Sequence, residues 1–122
     1  MSERLKEKTA VITGASRGIG RDIALSFARD GASLVLISLE EEKRLEEVVR
    51  ETEQLGARTQ SITGDVSEID FCEFVYGETT KQFGYGDILV NCAGTISRAF
   101  VEDMKLEEWH RVIDVNLHGA FY

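Results

Sequence analysis

Thr13-Gly14-Ala15-Ser16-Arg17-Gly18-Ile19-Gly20 is the stretch that decides the fold. It follows Thr9-Ala10-Val11-Ile12-Thr13, an apolar, β-branched run with the length of a buried strand. Beyond it, Ile19, Ile23, Ala24, Phe27 and Ala28 recur at helical spacing. A strand, a glycine turn and a helix in that order make a phosphate site. The opening N–H groups of a helix have no partner within it, and the helix dipole favours negative charge there. Gly14 is expected to make the sharp turn, Gly18 to admit a diphosphate where a Cβ would stand, and Gly20 to let the helix lie close on the sheet. The spacing is Gly-x-x-x-Gly-x-Gly, not the commoner Gly-x-Gly-x-x-Gly. No Gly-Lys-Ser/Thr occurs, which excludes a Walker-type loop. A bare strand-to-helix corner is the alternative, and the strand before and helix after favour nucleotide binding over it.

Outward from this turn the chain alternates strand and helix. Arg29-Asp30-Gly31 reads as a glycine-terminated helix end. Residues 33–38 form a nearly continuous apolar run, as in a parallel strand covered on both faces. Ser38-Leu39-Glu40-Glu41 fits a capping box that opens a helix with the stripe Leu45, Val48, Val49, Thr52 and Leu55, stopped by Gly56. The charges Glu40, Glu41, Glu42, Lys43 and Arg44 are expected to be its solvated face. Residues 58–62 alternate and are placed at a sheet edge. Thr63-Gly64-Asp65-Val66-Ser67 is expected to cap a helix carrying Ile69, Phe71, Cys72, Val75, Thr79 and Phe83, ended by Gly84 and Gly86. Residues 87–94 read as a fourth strand running into a small-residue turn, followed by a loop and a helix from about residue 106. This order predicts an α/β fold of Rossmann type, a doubly wound parallel sheet with strand order 3-2-1-4. In such a sheet the ligand lies beyond the carboxyl ends of the strands, where the winding reverses between strands one and four. Residues 14–20, Ser38, Asp65 and residues 91–94 all fall at such ends.

Length sets one domain spanning residues 1–122. Hydrophobic content of 43% and charged content of 30% are those of a soluble globular protein. With 14 basic and 22 acidic side chains, a formal charge of -8, nucleic acid is not an expected partner, because phosphate backbones need basic patches. A dinucleotide held by a few backbone amides is compatible with that charge. No run approaches membrane-spanning length and Met1-Ser2-Glu3-Arg4-Leu5-Lys6 lacks a signal-peptide core, so no membrane partner and a cytoplasmic location are expected. Cys72 and Cys92 have no CxxC spacing or neighbouring His, which suggests reduced thiols and no metal site.

Asn116 stands apart. On the last helix it lines up with Trp109, Ile113 and Ala120, which puts an amide on an apolar stripe. A buried amide group without a partner costs about 1–3 kcal/mol. Two readings are evenly matched on this pattern. One is a structural Asn bonded to a neighbouring carbonyl or placed at a helix kink; the other is an amide that organises water or backbone at an active site.

Thr13-Gly14-x-x-x-Gly18-Ile19-Gly20, Asp65-Val66, Asn91-x-Ala93-Gly94 and Val115-Asn116-x-x-Gly119 occur in the order and spacing of the short-chain dehydrogenase/reductase family in its classical form. The chain resembles that family over essentially its whole length, in a tone shared by 3-oxoacyl-carrier-protein reductases and generic sugar or alcohol dehydrogenases. The resemblance implies hydride transfer between a nicotinamide dinucleotide, NADP or NAD, and a small carbonyl/alcohol substrate. It places Gly14, Ser16, Arg17, Gly18 and Ile19 on the cofactor phosphates and ribose, and Asp65 on the adenine with Val66 beside it. Asn91, Ala93 and Gly94 would line the ribose and nicotinamide side. Asn116 matches the family's active-site asparagine, which tips the even reading toward catalysis. Cys92 departs from the family's usual Asn-Asn-Ala-Gly.

The family's chemistry also needs a Ser and a Tyr-x-x-x-Lys pair, whose lysine brings the tyrosine's pKa toward neutrality. Tyr76, Tyr85 and Tyr122 have no Lys four residues on. The resemblance therefore implies the cofactor half of an oxidoreductase roughly twice as long, inactive alone. Strand four would then be an open edge and the stripe with Trp109 and Phe121 would lack a partner, so homo-oligomerisation or poor solubility is expected. Where the family's NAD-type members carry an acid after strand two this chain has Ser38, and Arg17 resembles the base that pairs the 2′-phosphate in NADP-type members. That leans the expectation to NADP, against Glu40 and Glu41 nearby and against Arg17 as an ordinary solvated side chain. A non-catalytic dinucleotide-binding or interaction module is the alternative function. A methyltransferase fits worse, because its usual Gly-x-Gly turn and acid after strand two are missing.

Overall fold

β1 (Thr9–Thr13) is the hub of a four-stranded parallel sheet, flanked by β2 (Ser33–Ser38) on one side and β4 (Ile88–Asn91) on the other. β3 (Thr59–Thr63) lies outside β2, which gives the order β3-β2-β1-β4 and places β3 at an edge as its alternation predicts. The computed structural model describes residues 3–40 and 42–122, and of Glu42 only the backbone. Thr13 stands level with Ile37 on one neighbour and with Asn91 on the other, so the three strands end together and their loops share one rim.

Alternate strand residues face opposite sides of the sheet. On one side Ala10, Ile12, Leu34 and Leu36 pack against Ala24 and Ala28 of α1 (Gly18–Arg29) and Leu45 and Val48 of α2 (Glu42–Gln54). On the other, Val35, Ile37 and Ile62 pack with Val66 and with Val75 of α3 (Ile69–Phe83). β2 is covered on both faces, as its unbroken apolar run requires. α1 and α2 stop the same way. Gly31 and Gly56 take φ of 92° and 96°, and the residue after each donates its N–H five residues back, Ala32 to Phe27 and Ala57 to Thr52. Thr52 is tolerated in the stripe of α2 because its hydroxyl donates to the Val49 carbonyl and meets the Thr59 hydroxyl at 2.9 Å.

Several boundaries differ from the sequence expectations. Ser38 does not cap α2: it closes β2, paired with Thr63, and the helix starts at Glu42. Glu41 of that expected capping box lies outside the described residues. Glu40 precedes the helix and so is no part of its solvated face, whereas Lys43 and Arg44 are exposed on it. β3 begins and ends one residue later than expected, because its ladder with β2 runs from Thr59 opposite Leu34 to Thr63 opposite Ser38. Asp65 and Ser67 do not cap α3, whose N-cap is Glu68 with no side-chain bond; they bond each other instead. β4 is shorter than residues 87–94, since the N–H groups of Cys92 and Ala93 leave the ladder for the Thr13 hydroxyl. Ile19 and Ile69 leave the apolar stripes of their helices for solvent, Ile19 being 75% exposed at the first turn of α1.

The last helix is not uniform. α4 (Leu106–Ile113) runs into a π turn at Asp114–His118, then a short α5 (Gly119–Phe121). The turn shifts the helical phase, and Asn116 lies exposed rather than on a buried stripe. Trp109 and Ala120, its expected stripe mates, are exposed as well, because none of the described residues covers that face.

Candidate functional site

At the rim where β1, β2, β3 and β4 end lies a cleft of about 550 Å³. Its floor is the glycine turn. Gly14 takes φ of 64°, and a Cβ there would come within 2.7 Å of the Cys92 carbonyl, so the turn and the end of β4 touch backbone to backbone. A Cβ on Gly20 would run into the Gly14 carbonyl, which is why α1 can start so close to the sheet. Gly18 is different: at φ of 59° it faces open space, with nothing within 4 Å of where its Cβ would be. The opening of α1 meets the cleft there with no acidic residue in its first turn and no side-chain cap from Arg17.

Thr13 joins the two halves of the rim. Its hydroxyl accepts from the Cys92 N–H at 3.1 Å and the Ala93 N–H at 3.0 Å, and donates to the Val90 carbonyl at 3.5 Å. On the β2 side, Ser38 is buried with its hydroxyl making no hydrogen bond among the described residues, and it lines the cleft with Leu39 and Glu40. On the β3 side, the Asp65 carboxylate accepts from the Ser67 N–H at 2.9 Å and the Ser67 hydroxyl at 2.7 Å, which fixes the Asp65-Val66 wall. Beneath that wall the Cys72 thiol donates to the Val66 carbonyl at 3.3 Å, and burial first, then the charge of Asp65, pushes it above its ordinary pKa.

Gly14, Ser16, Arg17, Gly18, Ile19, Ser38, Asp65, Val66, Ala93 and Gly94 all line this one cleft. Asn91 does not; it lines a separate cavity between α3, β4 and α5. Asn116 lies outside the lining; its side chain donates to the Thr95 carbonyl and accepts from the Thr95 N–H, both at 2.9 Å, which ties it to the loop leaving Gly94. The sequence reading missed Arg111 and Val115 as lining residues; they reach the cleft from α4 and from the π turn that continues it. Their signal was the spacing of four on a helix whose later Gly119 belongs to a recognised motif. Among the described residues no group of three His, Cys, Asp or Glu is placed to hold a metal, and no helix is long and apolar enough to cross a membrane.

The sequence matches the family described as short chain dehydrogenase over residues 8–122. It is 36% identical over 122 residues to general stress protein 39 of Bacillus subtilis, covering 99% of this chain and 43% of that protein. It is 40% identical over 114 residues to a 3-oxoacyl-[acyl-carrier-protein] reductase of Staphylococcus aureus, covering 93% and 46%. Among solved structures, a short-chain type dehydrogenase/reductase from Mycobacterium marinum superposes with a TM-score of 0.91 at 36% identity, over 96% of this chain and 47% of that one. A mutant short-chain dehydrogenase/reductase from Serratia marcescens gives 0.93 at 29% identity, over 97% and 48%. The chain spans about half the length of the curated relatives it matches.

Proposed function

Because the chain belongs to the short-chain dehydrogenase family, we propose that residues 1–122 act as a single NAD(P)-binding unit of an oxidoreductase working on a small carbonyl/alcohol pair. The observation that carries this reading is the open space at Gly18, at a helix opening free of acidic residues and facing a cleft of about 550 Å³. A diphosphate fits where a Cβ is missing and backbone amides point outward. The unpartnered Ser38 hydroxyl at the same rim suits a ribose.

In this reading Gly14, Ser16, Gly18 and Ile19 hold the phosphates and ribose, and Asp65 and Val66 the adenine. Ala93 and Gly94 face the nicotinamide side, with Asn91 behind them. Asn116 holds the Thr95 backbone in place beside the reacting end. The nicotinamide supplies or accepts the hydride; these residues bind and orient it. No Tyr-x-x-x-Lys occurs in these 122 residues, so this span alone is proposed to bind cofactor without turnover, and the activity to belong to a longer protein. A cytoplasmic location and self-association belong to the same proposal, the latter supported by exposed Leu106, Trp109, Leu117 and Phe121.

NADP is favoured over NAD because Arg17 lines the cleft and no acid replaces Ser38 at the end of β2. The test is titration of the chain with NADPH and NADH, followed by nicotinamide fluorescence, beside a turnover assay. Tighter binding of NADPH is expected, and Arg17→Ala is expected to weaken it about tenfold or more while sparing NADH. Failure to bind either dinucleotide overturns the whole reading. An NADPH preference that survives Arg17→Ala overturns the role of Arg17 alone.

A further inference from the structure

The α4 wall of the cleft carries a cation that the reading above leaves unused. Arg111 and Val115, four residues apart, both line the cleft with Asp65 and Val66. The phase of this wall is fixed lower down. Val115 packs with Val66 in the core, and a Cβ on Gly119 would lie 2.8 Å from Val66 Cγ2. Arg111 therefore stands one turn beyond Val115, toward the mouth. Among the described residues its guanidinium makes no hydrogen bond or ion pair, whereas Arg21 on α1 holds Glu51 at 2.7 Å. Asp65 lines the same cleft without an ion pair to it, its Oδ1 accepting from the Ser67 N–H and hydroxyl.

An unpaired guanidinium on the wall of a cleft, in a chain of net charge -8, selects an electron-rich ligand. The surfaces beside it, Val66 and Val115, are aliphatic and offer nothing to a phosphate. A planar heteroaromatic base fits between a branched aliphatic floor and a guanidinium plane, which stacks on π faces as an ammonium does not. Resting on the dinucleotide reading, we propose that Arg111 is an adenine-binding residue, its guanidinium covering the outer face of a base seated on Val66 and Val115. Arg17 and the glycine turn act on phosphates; Arg111 acts on the base.

The experiment compares wild type, Arg111→Ala and Arg111→Lys by calorimetric titration with ADP, inorganic pyrophosphate and NADPH, with thermal melts as the check on folding. Arg111 is exposed, so the melts are expected to coincide. Arg111→Ala is expected to weaken ADP and NADPH about three- to thirtyfold and leave pyrophosphate unchanged. Arg111→Lys is expected to recover less than half of that loss on a logarithmic scale, since it keeps the charge and loses the plane. Unchanged ADP affinity in Arg111→Ala overturns the proposal, as does an equal loss for pyrophosphate, which would make Arg111 a phosphate ligand. Failure of wild type to bind NADPH or ADP instead overturns the dinucleotide reading beneath it.

Discussion

β2 and β4 flank the same strand and end at the same rim, yet they live in different surroundings. Every residue from Leu34 to Ile37 is essentially inaccessible, whereas Leu89 of β4 is 59% exposed. β2 has a strand on each side and a covered face above and below. β4 pairs only with β1, and a cavity of about 510 Å³ opens between it, α3 and α5. The β2 side of the rim is thus the more deeply packed of the two. The side proposed above to face the nicotinamide rests on a strand with one neighbour among the described residues, tied back through Thr13 and Asn116.

The sharpest way to break this comparison is to cut equivalent side chains on the two strands. Leu36→Ala, at a fully buried position, is expected to cost about 2–5 kcal/mol, while Leu89→Ala should change stability by less than about 0.5 kcal/mol. Urea unfolding of the two variants measures both, and equal losses would dissolve the distinction.

The joint between the two sides comes next. Thr13→Val keeps the shape but strands the Cys92 and Ala93 N–H groups, at about 1–3 kcal/mol each where water cannot replace the hydroxyl. Hydrogen exchange is expected to speed at Cys92 and Ala93 and to stay slow from Leu34 to Ile37. Equal acceleration in β2 would mean that the rim behaves as one body.

The smallest effect is a pH dependence. Because burial first, and then the charge of Asp65, raise the Cys72 pKa above its ordinary value, the folded chain keeps a proton that the unfolded chain releases. The stabilisation is whole below the unfolded value and is lost as pH rises through the folded one. The melting temperature is expected to fall more steeply as pH rises above about 8.5 in wild type than in Cys72→Ser, because Ser carries no proton to release there. Parallel pH curves would place the thiol in ordinary solvent.

Legibility followed the same division. β1, β2 and the start of α4 were readable because long apolar runs and a clean helical period report local geometry directly. The strand order followed from alternation and handedness. The cleft was legible where glycine spacing dictates backbone, at Gly14, Gly18 and Gly20, and not where placement depends on which face of a short strand turns inward, as at Asn91. Asn116 looked buried because a uniform 3.6-residue period was assumed through a segment that does not keep it. Ser38 looked like a helix cap because its position in the β2–β3 ladder is a long-range fact that four local residues do not encode.

At the π turn the Gly119 N–H reaches back five residues to the Asp114 carbonyl, so this segment holds one residue more than a plain helix of the same rise. Deleting a single residue there would leave an unbroken helix with every main-chain bond made. Running the same residues as a plain α-helix, with no wide turn, would instead swing Gly119 by about 100° around the axis relative to Arg111, away from Val66. The wide turn thus absorbs a surplus residue, so that one helix still faces the cleft at its top and the core at its foot.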